Sequence, residues 1–312
     1  MVRVRVPATS ANLGAGFDVF GIALDCLYDE VTMELTGGEG ILIEGVEGYD
    51  VPSEPSANCA SVAASEVFRL KGYGGGAGMR IKKGIRPKSG LGSSAASSVG
   101  GALAASLLLG GMGTEDLLRC AGEGERISSM SAHLDNAAPA LLGGFTIVRS
   151  YDPLEVVRLE VPGNLGIVVI LPDVEVSTRE ARAILPESVP VRGMVHNVGN
   201  AGAFVAGMMR KDVRLMGRAM DDAIFERARE PLVPWLRDIR GVALGEGACG
   251  LAMSGSGPSV IAVFDRCERD GSGICEAVKG AFADGGIKSE GFVCSVSKGA
   301  MELNRDERRR VV

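Results

Sequence analysis

The segment Pro87-Lys88-Ser89-Gly90-Leu91-Gly92-Ser93-Ser94-Ala95-Ala96-Ser97 gathers the residue types that can receive a phosphate. Glycines at 90 and 92 let the backbone turn sharply and approach a ligand closely. Two serines then open a run of small residues suited to a helix. The first N–H groups of a helix lack intrahelical partners, and its positive dipole end attracts anions. Serine hydroxyls add donors or ligands for a hard cation. Taken alone, the segment admits three readings. It can be a Gly-rich turn into a small-residue packing helix. It can be a variant dinucleotide fingerprint, Gly90-x-Gly92-x-x-Ala95, although Pro87 and Lys88 stand where a strand should be. Or it can be a phosphate loop of a non-Walker type. No G-x-x-x-x-G-K-[ST] run occurs in the chain.

Other residues with chemical potential are scattered along the chain. Glu125 falls on a predicted helix, as a solvated carboxylate or an oxygen ligand for a hard cation. His133-Leu134-Asp135-Asn136 sets an imidazole beside a carboxylate, which serves a structural pair as readily as a catalytic one. Asp18 follows the turn Gly14-Ala15-Gly16. Arg182 and Arg229 read as solvated helix residues or as forked anion clamps. Gly255-Ser256-Gly257-Pro258 reads as a tight turn between two strands. The only histidines are His133 and His196, which disfavours a His-rich metal site and leaves a Ser-His-Asp triad few options.

The elements that must position these groups follow from composition and pattern. The chain has 312 residues, 46% hydrophobic and 23% charged, enough for two modest domains. A net charge of -6 argues against a nucleic-acid footprint. Seven cysteines without a C-x-x-C pair indicate neither a zinc site nor a disulfide framework. The N-terminus lacks a secretory apolar region, and the longest apolar run, Ala102 to Leu109, is too short for a membrane span. A cytoplasmic protein with free thiols is expected.

Alternation predicts strands at 2–6, 31–35, 41–44, 79–81 and 145–148. Helices are expected over 57–70, 93–109 and from an N-cap at Thr114 to about Ser128. A second half begins near Leu154. It carries a buried strand at 166–171, helices near 178–184, 193–210 and 212–226, strands at 248–253 and 260–264, a helix at 275–284 and a strand at 291–296. Strands mixed with helices in both halves suggest an α+β or α/β protein. The Arg305 to Arg310 stretch reads as a basic, solvated tail.

Four segments, in order and spacing, carry a family resemblance. PKSGLGSSAAS is similar to the central P-x-x-x-G-L-G-S-S-A motif of the GHMP kinases. Val6 to Leu24 (VPATSANLGAGFDVFGIAL) resembles the N-terminal motif of the homoserine kinase branch, which mevalonate and galactose relatives lack. Met253 to Phe264 (MSGSGPSVIAVF) resembles the C-terminal Gly-rich motif. Gly122 to Gly144 (GEGERISSMSAHLDNAAPALLGG) again resembles the homoserine kinase branch.

The resemblance implies a two-domain GHMP kinase fold. A ribosomal-protein-S5-like domain with a left-handed crossover would span 1–152, a ferredoxin-like domain 153–304, and a tail 305–312. The active site would lie between the domains. The activity implied is Mg-ATP-dependent phosphorylation of the side-chain hydroxyl of L-homoserine, a step toward threonine, by a homodimer that binds neither nucleic acid nor membrane.

The site implied is carried residue by residue. Pro87, Lys88, Ser89, Gly90, Leu91, Gly92, Ser93, Ser94, Ala95, Ala96 and Ser97 would hold the ATP phosphates. Ser94, rather than Ser93, and Glu125 would hold Mg2+. Asp135 would accept the hydroxyl proton, unless Asn136 faces the hydroxyl and catalysis rests on positioning alone. Asn12 and Asp18 would meet the ammonium group of the substrate. Arg182 and Arg229 would clamp its carboxylate, with Arg227 as an alternative, because FERAREPLVP departs from the family's E-P-A-R pattern. Thr178, His133 and Gly257 would line the same pocket.

Overall fold

The structure is a computed structural model that describes residues 1–129 and 132–303. The expected basic tail, 305–312, and Met130 and Ser131 within the fourth motif lie outside the described residues. Strands β1 (Val2–Asn12) and β2 (Gly16–Thr36) form a long antiparallel hairpin. Only the first part of β1 shows in the Val/Arg alternation. The strand runs on through Pro7, where a register shift leaves Asp25–Leu27 of β2 outside the β1 ladder. β3 (Gly40–Gly48), α1 (Cys59–Lys71) and β4 (Gly76–Lys83) follow, with β3 and β4 parallel and α1 as their crossover. Then come α2 (Ser93–Leu108), α3 (Thr114–Ser129), α4 (Ala137–Leu142), β5 (Phe145–Tyr151) and β6 (Leu154–Leu159). Thr114 is the first helical residue of α3 rather than its cap.

The second half holds β7 (Leu165–Pro172), α5 (Thr178–Ala183), α6 (Val191–Arg210), α7 (Val213–Arg218), α8 (Phe225–Ala228), α9 (Leu236–Gly245), β8 (Gly250–Met253), β9 (Val260–Asp265), α10 (Ser272–Asp284), β10 (Ser289–Cys294) and β11 (Met301–Glu302). The helix expected over 212–226 is two pieces. The Asp222 carboxylate accepts from the N–H groups of Ile224, Phe225 and Glu226, which turns the chain and opens α8.

Two sheets result. The first has seven strands, ordered β11-β1-β2-β4-β3, with β5 on β2 and β6 on β5. The second, ordered β10-β7-β9-β8, is antiparallel throughout, the split β-α-β pattern of ferredoxin-like folds. The fold class therefore agrees with expectation. β6 pairs with β5, so the chain leaves the first sheet in 160–164, and β11 returns to it.

β7 links two cores. Ile167, Val169 and Leu171 point into the cluster shared with β1, β2, β4 and α2, whereas Val168 and Ile170 point into the cluster under α9 and α10. This alternation, period two along a strand buried on both faces, packs the two halves against each other. Phe20, Phe145 and Phe204 close that junction with ring centroids 5.0 to 5.8 Å apart. Among the described residues, no helix is long and apolar enough to cross a membrane.

Candidate active site

A cleft of about 400 Å³ opens where the two halves meet. Its walls come from the loop 87–94, the middle of α3, the segment 133–136, the β1–β2 turn, the start of α5, Arg229 and the turn Gly255-Ser256.

The glycine-serine segment bends into α2 as its residues predict. Gly92 caps the helix at φ 67°, a left-handed conformation. A Cβ there would lie 1.9 Å from Thr9 Oγ1, so an alanine would meet both backbone strain and a clash. The loop is tied down on both sides: Thr9 N–H donates to Leu91 O (3.1 Å), and Ser259 N–H donates to Ser89 O (3.1 Å). The Ser254 hydroxyl donates to Gly90 O (2.7 Å). The first N–H groups of α2 thus face the cleft from a loop held by both halves.

The serines at 93, 94 and 97, in the first turns of α2, differ in what their hydroxyls do. Ser93 donates to Ile85 O (2.8 Å) and Ser97 to Asp29 (3.4 Å). Ser94 donates to one Glu125 oxygen at 3.1 Å, and Ser98 donates to the other at 3.2 Å. Burial pushes the Glu125 carboxyl up to about 7; the two serine hydrogen bonds pull the other way. Lys83 is fully buried beneath the loop. It pairs with Asp29 and donates to Ser93 O and Ser97 Oγ, both at 2.9 Å. Asp29 also accepts from Gly84 and Ile85 N–H (3.0 and 3.1 Å). This cluster binds the ends of β4 and α2 to β2, beneath the loop backbone that lines the cleft.

Asp135 and Asn136 stand together at the entry to α4. Asp135 is buried, and burial, then the Asp18 charge, push its carboxyl up to about 7. Gly21 of β2 allows its backbone in: a Cβ at 21 would lie 1.8 Å from Asp135 O. Asn136 Oδ1 accepts from the Thr9 hydroxyl (2.8 Å), which leaves its NH2 group as the donor end. His133 Nδ1 lies 3.6 Å from Asp18 Oδ2, and burial holds the imidazole below its ordinary range, toward the neutral form.

Opposite the loop, Asp18 and Arg182 form a two-pronged pair, each N–H···O at 3.0 Å. The two groups expected at opposite ends of a substrate thus hold each other. Arg182 Nε is buried without a partner. Arg229 is buried and spends Nε on Ala181 O (3.0 Å) and Nη1 on Gly255 O (3.1 Å), leaving Nη2 for a ligand. Burial, then Arg182, lower its pKa to about 10. Phe17 lies under both guanidinium groups, 5.8 and 5.2 Å from ring centre to carbon, and stacks on Phe225. Asn12, expected at the ammonium, works on the protein itself. Its amide donates to Gly255 O (2.8 Å) and accepts from Asp18 N–H (3.0 Å), fixing the turn that aims Asp18.

Asn12, Asp18, Pro87, Lys88, Ser89, Gly90, Gly92, Ser93, Ser94, Ser97, Glu125, His133, Asp135, Asn136, Thr178, Arg182 and Arg229 all line the one cleft. Leu91, Ala95 and Ala96 are buried behind it, and Gly257 shapes the turn from behind while Gly255 and Ser256 face the space. Thr178 Oγ1 lies 3.3 Å from Ser256 Oγ. Arg227 is exposed and outside the cleft, whereas Arg229 lines it. Lys88 is exposed and pairs with Glu175 (3.1 Å).

Sequence reasoning missed Lys83, Asp29, Thr9, Phe17 and the wall of Val51, Pro52, Ala57, Cys59 and Ile127. Thr9 and Phe17 lay inside a recognised segment, but nothing in their type announced a role. Burial pushes the Cys59 thiol up to about 12, so it serves as apolar wall rather than nucleophile.

Comparison with known proteins agrees with this geometry. The family model for the GHMP kinases N terminal domain matches residues 58–144, and that for the GHMP kinases C terminal matches residues 203–282. Homoserine kinase of Pyrococcus abyssi is 43% identical over 298 residues, covering 96% of this chain and 98% of its own. That of Pyrococcus furiosus is 44% identical over 299 residues, 96% of this chain and 99% of its own. The crystal structure of homoserine kinase from Cytophaga hutchinsonii superposes with a TM-score of 0.92 at 41% identity, over 97% of each chain. A mevalonate kinase structure at 14% identity and TM-score 0.69, over 95% of this chain and 99% of its own, shares the fold alone. With near-complete coverage at this identity, the chain belongs to the homoserine kinase family of the GHMP kinases.

Proposed function

We propose that the cleft transfers the γ-phosphoryl group of ATP to the side-chain hydroxyl of L-homoserine, releasing ADP and O-phospho-L-homoserine. One observation carries this reading. A helix-capping phosphate loop with Ser94 and Glu125, and an Asp18–Arg182–Arg229 cluster suited to an amino-acid zwitterion, face each other across one cavity. The apolar wall of Val51, Pro52, Ala57 and Ile127 supports a place for the nucleobase beyond the loop.

The chain's own groups divide the work. Backbone N–H groups at the start of α2 bind the phosphates, with Lys83 and Asp29 holding that backbone in place. Ser94 and Glu125 offer hard oxygen donors, and a buried carboxylate is a group that a divalent cation stabilises in ionised form. They would hold Mg2+, which neutralises charge building on the phosphates. Two oxygen donors from the protein, one a carboxylate, are a set that would suit Mg2+. Substrate binding exchanges partners: the ammonium takes Asp18, and the carboxylate takes Arg182 Nε and Arg229 Nη2. Asn136 orients the hydroxyl with its free NH2, and Asp135 receives the hydroxyl proton as the oxygen–phosphorus bond forms and the bond to ADP breaks. A carboxyl near 7 is poised for that transfer.

A coupled ADP-release assay with Mg2+ and a panel of hydroxylated metabolites tests the reading. Homoserine should support turnover, and mevalonate and shikimate should not. Turnover with another alcohol only would move the acceptor; ATP binding without ADP release for any acceptor would make the protein a sensor.

A second copy of the chain is the proposed partner. Its support is α6, where Val191, Met194, Val195, Val198 and Met209 present an exposed apolar stripe at helical spacing, the exposure ranging from 48% to 73%.

A further inference from the structure

Cys26 and Cys294 come from opposite ends of the chain and from the two different sheets. Cys26 sits in the part of β2 that the register shift releases from β1. Residues 23–25, at the edge of that segment, pair with 295–297, just beyond β10. Leu24 and Val296 form a β-bridge, Asp25 N–H donates to Ser295 O (3.1 Å), and Ser297 N–H donates to Ala23 O (3.0 Å). The Asp25 carboxylate accepts from Ser295 N–H (2.7 Å). Hydrogen-bonded pairs at 25/295 and 23/297 make 24/296 a non-hydrogen-bonded pair. Extended by two residues, the same register would set Cys26 opposite Cys294 at the next such position. Opposed residues there have Cα atoms about 4.5 Å apart, inside the range that a disulfide spans without backbone movement. Cys26, ahead of burial, holds the Cys294 thiol well above its ordinary range, which places the two groups as neighbours. Cys26 is partly exposed and Cys294 is buried, so one thiol is open to solvent and the other waits beneath it.

We propose that Cys26 and Cys294 are a disulfide-forming modification site that staples the first sheet to the second. The oxidant is a small-molecule disulfide. The Cys26 thiolate attacks one of its sulfurs, forming a mixed disulfide and releasing one small thiolate. The Cys294 sulfur then attacks Cys26, its proton passing to the departing second small thiolate. Two protein thiols lose two electrons in all, and one small disulfide is reduced to two thiols. The exposed partner is attacked first and the buried partner resolves it. The bond closes a loop of nearly the whole chain, so it restrains the unfolded state strongly.

The full chain, equilibrated across ratios of reduced to oxidised glutathione, acid-quenched, alkylated and peptide-mapped, decides the matter. We expect Cys26 and Cys294 to escape alkylation together and to appear as one cross-linked peptide pair lighter by two hydrogens. The oxidised protein should melt about 5–10 °C above the reduced one. Cys26→Ser should abolish both effects, Cys26→Ala should do the same if serine unfolds the protein, and Cys267→Ser should leave both in place. Full alkylation of both residues under every ratio, glutathione adducts at Cys26 without a cross-link, or a bond joining other cysteines would overturn the proposal.

Discussion

At the residue scale the site works by placing two buried carboxyls where their charge is costly. Asp135 and Glu125 both rise to about 7, chiefly through burial, yet they meet different partners. Glu125 faces serine hydroxyls, which leaves it fit for a cation. Asp135 lies beside Asn136 and the Asp18–Arg182 pair, where an acceptor hydroxyl would enter. If Asp135 takes the proton, Asp135→Asn should lower kcat by roughly 100-fold or more. The base must be ionised, so wild-type kcat should climb as pH rises through about 7, and that limb should vanish in the variant. A loss under about tenfold with the limb intact would assign the work to positioning by Asn136 instead.

At the element scale, the cleft depends on short segments held from both sides. The loop before α2 is fastened to β1 through Thr9 and to the turn before β9 through Ser254 and Ser259. α5 delivers Arg182 and braces Arg229 through Ala181 O. α6 is different in kind. Its inner face buries Phe204 and Met208, while Val195 and Val198 on the outer face stay about two-thirds exposed. If that stripe seats a second copy, the double variant Val195→Glu, Val198→Glu should convert a dimer into a folded monomer in multi-angle light scattering. A wild-type monomer at micromolar concentration would remove the idea. The charges sit on a solvent-facing surface, so melting of the monomer should change little.

For the whole molecule, function and stability pull in opposite directions. A carboxyl whose folded pKa is raised carries no cost below its unfolded pKa, where both states are protonated. The cost appears as pH rises through the window from about 4 to 7, because the unfolded chain ionises freely and the folded one does not. Free of substrates, the protein should therefore lose stability toward pH 8. Glu125→Gln should remove one share of that loss, on the order of 2–3 kcal/mol at pH 8 and little at pH 4. Calorimetry at the two pH values reads this directly, and equal gains at both would show that packing rather than charge is responsible.

Much of this protein is written locally. The Gly90–Ser97 signature, the helical run after it and the β7 apolar run need only neighbours in sequence to express them, and each appears where expected. Family motifs also carried Glu125, Asp135 and Arg182 to one site. Other features needed the folded chain. Lys83 looks like any strand-end lysine until β2 brings Asp29 against it. β11 is only two residues long, and nothing in its sequence or in that of β6 declares which sheet it joins. Arg227 and Arg229 differ only in the direction α8 turns them, and Asp222 sets that direction. The residues were chosen by chemistry that a linear pattern records. Their partners were chosen by long-range pairing, which depends on chain segments tens to hundreds of positions apart and so leaves no local mark.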